Sequence, residues 1–213
     1  MKLIIIIVIL VFVGCSNKKI INIPNPNNFE LIYSINGDID FDGKDEVVVV
    51  FNTYDENAFG KTRLLQIYKK DKSKLSLWIE SKQALKRSEE YGIKNNKVEL
   101  EILNGNLVIT NYITSGWQLI EKDTYRLIDG EFKLIDYKSK YGKDCEYWIT
   151  VSYSPLSYEI EFIKNYENCT DSNNIQEKEI EKFKIEKVDF NLKNRTQKHV
   201  EFVTPNFKYE WSF

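Results

Sequence analysis

Five carboxylates fall within one short stretch of this chain: Asp38, Asp40, Asp42, Asp45 and Glu46. The first three stand at alternate positions, Gly43 follows the third, and the apolar run Val47-Val48-Val49-Val50-Phe51 starts directly after Glu46. Carboxylates so close repel one another unless a positive charge sits among them. A hard cation such as calcium takes about six to eight oxygens, and a short loop supplies them when carboxylates recur at every second residue and a glycine permits the sharp turn. The ligand set read from this spacing is the side chains of Asp38, Asp40 and Asp42, the main-chain carbonyl of Lys44, and the carboxylate of Glu46. The plainer alternative is an acidic turn that holds only water. An EF-hand is excluded, because its loop needs a bidentate glutamate where Val49 stands and a helix where this chain has a β-branched run.

Little else in the chain has the makings of catalysis. His199 is the single histidine and sits between Lys198 and Val200, a setting for a surface residue rather than a base. No nucleophile elbow, zinc-binding His-Glu-x-x-His or phosphate-binding glycine loop occurs. Two acids brought together by folding would leave no signature, so carboxylate catalysis stays as an alternative; Glu89-Glu90 and Glu179/Glu181 read as solvated faces. Cys145 and Cys169 form an even pair once Cys15 is set aside, and they bracket a hairpin folded at Pro155. A disulfide between them is expected in an exported protein. The chain is rich in Tyr and Phe, which fits alternating core and cross-strand positions in a β protein. Trp117 is the exception: Ser115-Gly116 before it places it on a loop or strand start.

The elements that must position these residues are short strands joined by hairpin turns. Leu64–Lys69 and Lys74–Ile79 flank a polar turn. Val98–Leu103 and Leu107–Tyr112 flank Asn104-Gly105, and Tyr125–Ile128 and Phe132–Tyr137 flank Asp129-Gly130; both pairs suit a type I′ turn because both residues tolerate positive φ. Tyr147–Tyr153 and Tyr158–Tyr166 form a longer hairpin. Between Lys182 and Leu192 the alternation changes phase, which predicts a bulge or a break. Glu80–Glu90, with a narrow apolar face around Ala84 and Leu85, reads as a turn or one to two helical turns bridging hairpins. The fold class expected is mainly β, an antiparallel meander of hairpins arranged as an open sheet, a sandwich or a partial propeller, with at most one short helix. A full propeller would need several copies of the acidic loop, and there is one.

The loop from Asp38 to Glu46 resembles that of FG-GAP or VCBS repeats, in which Asp-x-Asp-x-Asp-Gly leads into a strand. Glu46 stands where that family carries Asp, and Phe41 where a small residue is common. The order of later cues from Asn36 to Lys138 is similar too: Leu64-Leu65, the Trp78 hairpin, Thr114-Ser115-Gly116-Trp117, and Tyr125 to Ile135. The resemblance implies a small bacterial VCBS-repeat lipoprotein, with weakly bound calcium in the loop and a structural or binding role without catalysis. An envelope hydrolase, or a glycan- or protein-binding module such as an inhibitor or adhesion factor, is the alternative.

Residues 1–14 read as a signal peptide: Lys2, then the unbroken apolar stretch Leu3–Val13, then Gly14. That stretch is shorter than the roughly 20 residues a membrane span needs. Phe12-Val13-Gly14-Cys15 resembles a lipobox, which implies a diacylated Cys15 at the mature N-terminus and a domain held outside the cytoplasm on a bacterial membrane. Residues 15–28, with Pro24, Pro26 and several asparagines, then form a tether, and 29–213 a single mainly-β domain. The formal net charge of −2, with both signs interspersed, gives no electrostatic case for nucleic acid. Cys15→Ala should leave an unprocessed precursor and abolish incorporation of labelled fatty acid; a variant still processed and lipidated would refute the lipobox assignment.

Overall fold

The computed structural model describes residues 23–72, 74–90, 96–167, 169 and 177–213. The signal peptide, Cys15 and the tether up to residue 22 lie outside the described residues. Strands β1 (Glu30–Gly37), β2 (Glu46–Asn57), β3 (Gly60–Asp71) and β4 (Lys74–Ser81) make a four-stranded sheet in that order. Strands β5 (Lys97–Leu103), β6 (Asn106–Ser115), β7 (Trp117–Ile128), β8 (Glu131–Lys143), β9 (Tyr147–Ser154), β10 (Glu159–Tyr166) and β11 (Lys178–Lys184) make a seven-stranded sheet. Within each of these sheets every strand pairs antiparallel with the strand next to it in sequence. The fold is thus the expected meander, built of open sheets. Asn104 and Gly105 (φ 50° and 70°), like Asp129 and Gly130 (φ 52° and 79°), both take the positive φ that a type I′ hairpin requires. A two-stranded ribbon of β12 (Glu201–Val203) and β13 (Glu210–Ser212) completes the chain.

The sheets share a core. Val48 and Val50 of β2 face it with Leu65 and Ile67 of β3, against Leu100, Ile109, Tyr125, Tyr137 and Val151 of the larger sheet. Val47, Val49 and Phe51 point the other way into a smaller cluster covered by Ile23, Phe29 and Leu75. Both faces of β2 are therefore covered, which is why its apolar run is unbroken rather than alternating. The end of the tether lies on this outer cluster, and the Tyr54 hydroxyl donates to the carbonyl of Asn28 at 2.9 Å. Between β7 and β8 the register shifts beside Tyr125, so that Leu134 and Tyr137, three positions apart, both enter the core.

Tertiary contacts decide one open sequence expectation and overturn another. Glu80–Glu90 forms no α-helix: β4 runs through Ser81, and residues 82–90 follow as turns that sink Ala84 and Leu85 into the core. The amides of Ser88 and Glu89 donate to the carbonyls of Lys61 and Phe59, each at 3.0 Å. Those bonds replace the ones a helix with so narrow an apolar face would have made. Glu181 is not on a solvated face. It is buried and accepts from the amides of Asn206 (2.8 Å) and Phe207 (3.0 Å). The phase change after Lys182 is real: β11 stops at Lys184, and Phe190 and Leu192 leave it to join the core.

From there residues 190–192 pair with β8 along the edge that β9 leaves free, and the C-terminus packs on the inner face of the larger sheet. The Leu134 amide donates to the carbonyl of Phe190 at 2.9 Å and that of Leu192 to Phe132 at 3.1 Å, while Phe213 stacks on Tyr137 at 4.3 Å. The expected disulfide is present: Cys145 and Cys169, 24 residues apart, close the open end of the β9–β10 hairpin. On the chain-entropy argument a loop of that size contributes about 3 kcal/mol.

The sheets also meet where Phe41 lies over the β5–β6 turn. A methyl group added to Gly105 would overlap the Phe41 ring, and Gly105 already has φ +70°. Gly105→Ala should therefore cost more than the ~1–2 kcal/mol of left-handed backbone alone. In a Phe41→Ala background the excess should disappear, which a denaturant double-mutant cycle measures.

Candidate functional site

The acidic loop is the connection of the β1–β2 hairpin, closed by the pairing of Gly37 with Glu46. Its backbone turns through left-handed positions at Phe41 (φ 62°) and Gly43 (φ 80°). Amides inside the turn steer the carboxylates: Gly43 donates to Asp38 at 3.0 Å, Asp42 to Asp40 at 3.2 Å, and Lys44 to Asp42 at 2.8 Å. As a result one carboxylate oxygen from each of Asp38, Asp40 and Asp42 lies within 4.8 Å of the others. The second oxygen of Asp38, Oδ1, is buried and has no hydrogen-bond partner, which is an acceptor suited to a cation.

Packing, not charge, decides where the loop sits. Ile39, between two of the aspartates, is fully buried in the shared core. Glu46 is only 1% exposed, and its Oε2 accepts the Ile39 amide at 3.1 Å. Burial raises the Glu46 pKa, and the charges of Asp40 and Asp42 add to the rise. Part of the required positive charge comes from β3: Lys69 Nζ is 2.5 Å from Asp40 Oδ2 and 4.2 Å from the centre of the Trp78 ring. The hydrogen bond between them holds the Asp40 carboxyl below its ordinary range and the Lys69 ammonium above its own. Of the ligand set read from the sequence, the fold brings Asp38, Asp40 and Asp42 together. Glu46 is turned to the Ile39 amide, and Lys44 is exposed with its own amide on Asp42.

A second cluster of charge was not singled out from the sequence. Glu121 and Asp123 occupy successive inward positions of β7, both 4% exposed. Asp123 accepts from Arg195 Nε at 2.8 Å and from the Tyr125 hydroxyl at 3.2 Å. Glu121 has Lys86 at 2.5 Å and the Tyr137 hydroxyl at 3.2 Å. Burial lowers the Arg195 pKa, but the adjacent Asp123 carboxylate more than reverses this and holds it above its ordinary value. It also lies over the rings of Phe190 (5.2 Å) and Tyr137 (5.3 Å). A cavity of about 350 Å³ adjoins the cluster, with the exposed His199 among its lining residues. The signal was available: Leu119, Glu121, Asp123 and Tyr125 alternate in one phase, so a strand there must carry two acids inward between apolar neighbours.

Compared with family models, curated proteins and solved structures, the chain matches none. The loop's own energetics can be tested directly. Because the folded-state pKa of Glu46 is raised, its ionised form opposes folding above that pKa, and the penalty vanishes below the ordinary value of 4.5. Glu46→Gln keeps an acceptor for the Ile39 amide and removes the charge. In chelator it should melt higher than wild type at neutral pH and lose that advantage in acid below 4.5; thermal melts at the two pH values check both arms.

Proposed function

We propose that this protein is a lipid-anchored envelope module of the FG-GAP/VCBS-like type, which binds a partner outside the cytoplasm and carries a weakly held calcium ion in its β1–β2 loop. The observation that carries the reading is the convergence of Asp38, Asp40 and Asp42 within 4.8 Å on a loop wedged between the two sheets. The buried, unpaired Asp38 Oδ1 and the raised pKa of Glu46 both describe a site that a cation would relieve. Asp38, Asp40 and Asp42 would hold it, with Glu46 and the Lys44 carbonyl completing the set. Calcium would contribute stability to the corner between the sheets, with no chemistry of its own.

Its affinity follows from what it must displace. Lys69 already occupies Asp40, and Glu46 already serves the Ile39 amide. Binding therefore belongs in the range of extracellular modules, about 10⁻⁴ to 10⁻³ M. The buried carboxylates Glu121 and Asp123 do not favour the hydrolase alternative, since each is committed to a cation and a tyrosine hydroxyl. They read as props of the core.

A cation that binds the folded form alone stabilises it by RT ln(1 + [L]/Kd), about 1.4 kcal/mol at the tenfold excess that millimolar calcium supplies over a dissociation constant of about 10⁻⁴ M. Millimolar calcium should thus raise the melting temperature by several degrees and magnesium by less, because magnesium dehydrates reluctantly. Asp42→Ala should remove that increment while costing little stability in chelator, where it also relieves repulsion. Calorimetry of both proteins across a calcium titration at fixed ionic strength is the test. No shift in wild type would reduce the loop to an acidic turn.

A further inference from the structure

The buried charge cluster on β7 borders a cavity that it does not fill. Asn111 of β6 lies directly opposite Glu121, and Asp123 follows two residues on along the same inward face. These three buried side chains, Asn111 only 6% exposed, line the cavity of about 350 Å³ from below. Lys82 and His199, both exposed, mark its mouth. The buried residues Leu85 and Phe213 give it an apolar wall. Its volume stands at the small end of ligand sites, which run from about 300 to 1,000 Å³.

Two oxygens of the floor are left over. Asp123 commits Oδ2 to Arg195 and to the Tyr125 hydroxyl, while its Oδ1 is buried without a partner. The Oδ1 of Asn111 is buried without a partner as well. A buried acceptor left unpaired costs stability that an apolar side chain of the same shape would not. Ile109 and Ile113, the neighbours of Asn111 on the same face, are both buried and apolar. Packing therefore gives no reason for a polar residue between them.

The charges around the cavity restrict what could satisfy those oxygens. Glu121 is paired with Lys86, Asp123 with Arg195, and Asp55 with Arg87. The other two charged lining residues, Lys82 and Glu90, have opposite signs. With His199 neutral, the lining has no net charge with which to select an ion. An apolar molecule would leave both oxygens unpaired. A neutral molecule carrying several hydroxyls would not, because each hydroxyl donates and accepts at once. Such an array also replaces the water of an empty site bond for bond.

We propose that this cavity binds one sugar unit of a neutral glycan, its hydroxyls donating to Asn111 Oδ1 and Asp123 Oδ1 and its carbon face lying on Leu85 and Phe213. The inference rests on the binding-module reading above and names the class of its partner, but it does not depend on the calcium loop. Lys82, exposed at the mouth, is placed to donate to an outer hydroxyl. The ion pairs on either side hold the floor rigid and need not break for the ligand to enter.

The test is calorimetric titration of the full chain, in chelator and a detergent without a sugar headgroup, with the methyl glycosides of glucose, galactose, mannose and N-acetylglucosamine. At least one should bind, and glucosamine and glucuronate should bind no tighter than their neutral parent. Asn111→Leu removes one unpaired oxygen and touches no ion pair. It should weaken the glycoside about tenfold and yet melt at or above the wild-type temperature. Trp117 opens β7 outside this cavity and stacks on Tyr141 at 5.3 Å, a second platform on which a sugar could lie. Trp117→Ala should nevertheless leave affinity unchanged. Absence of binding by all four glycosides would mean that the cavity holds only water, and would overturn the proposal. So would unchanged affinity or a lower melting temperature in Asn111→Leu, an equal loss in Trp117→Ala, or tenfold tighter binding of a charged sugar. Asp42→Ala should bind the glycoside like wild type, so failure here and failure of the calcium reading are separable.

Discussion

Arg195 and Asp123 meet at 2.8 Å with side chains 8% and 6% exposed, and the two ions come from segments 72 residues apart. Taking both out of water is expensive, and their attraction does little more than offset that cost. Separating them is another matter, because a lone buried charge costs about 3–5 kcal/mol. The pair therefore acts as a latch. It fixes residues 185–213 over the larger sheet in one place, so that Phe213 lands on Tyr137 and the carbonyl of Phe190 meets the Leu134 amide. The ribbon that supplies Trp211 hangs from the same latch through the paired backbones of Val200 and Phe213.

The other end of the shared core is held by the acidic loop, where charge and packing pull in opposite directions. Ile39 must be buried and its amide needs an acceptor, which Glu46 provides from the start of β2. That puts an ionisable group where both burial and the neighbouring aspartates disfavour its charge. Lys69, leaning on Trp78, offsets part of the repulsion at Asp40. The outward residue Phe41, 69% exposed, packs on Gly105 of the opposite sheet. The loop is thus a structural corner first, and any affinity for a cation is limited by contacts that the corner already uses.

Buried carboxylates recur through this fold with different solutions. Glu46 faces one amide, Glu181 takes the amides of Asn206 and Phe207, and Glu121 and Asp123 each take a cation and a tyrosine hydroxyl. In each case the acid ties a strand to a segment that is not its sheet neighbour, except in the loop, where it ties the strand to its own turn. Directional polar bonds of this kind specify which loop lies on which strand, a discrimination that apolar contacts alone supply poorly.

Local rules were enough to read the strands. Asn104-Gly105 and Asp129-Gly130 demand positive φ whatever surrounds them, and alternation of apolar residues fixes which side of each strand faces inward, so the hairpins and the meander were legible in the chain itself. The Asp38–Asp42 spacing was legible for the same reason, because alternate residues of one short turn converge on their own. The disulfide followed from two cysteines flanking one hairpin. What local rules could not reach were contacts between residues far apart in sequence. Nothing near Ser88 announces that its amide and that of Glu89 will find the carbonyls of Lys61 and Phe59. Nothing near Glu181 announces Asn206, and nothing near Asp123 announces Arg195. The ribbon, the latch and the cavity beside it exist only once the last thirty or so residues pack on the sheet, because polar partners and covering surface are chosen by three-dimensional proximity, which sequence separation does not encode.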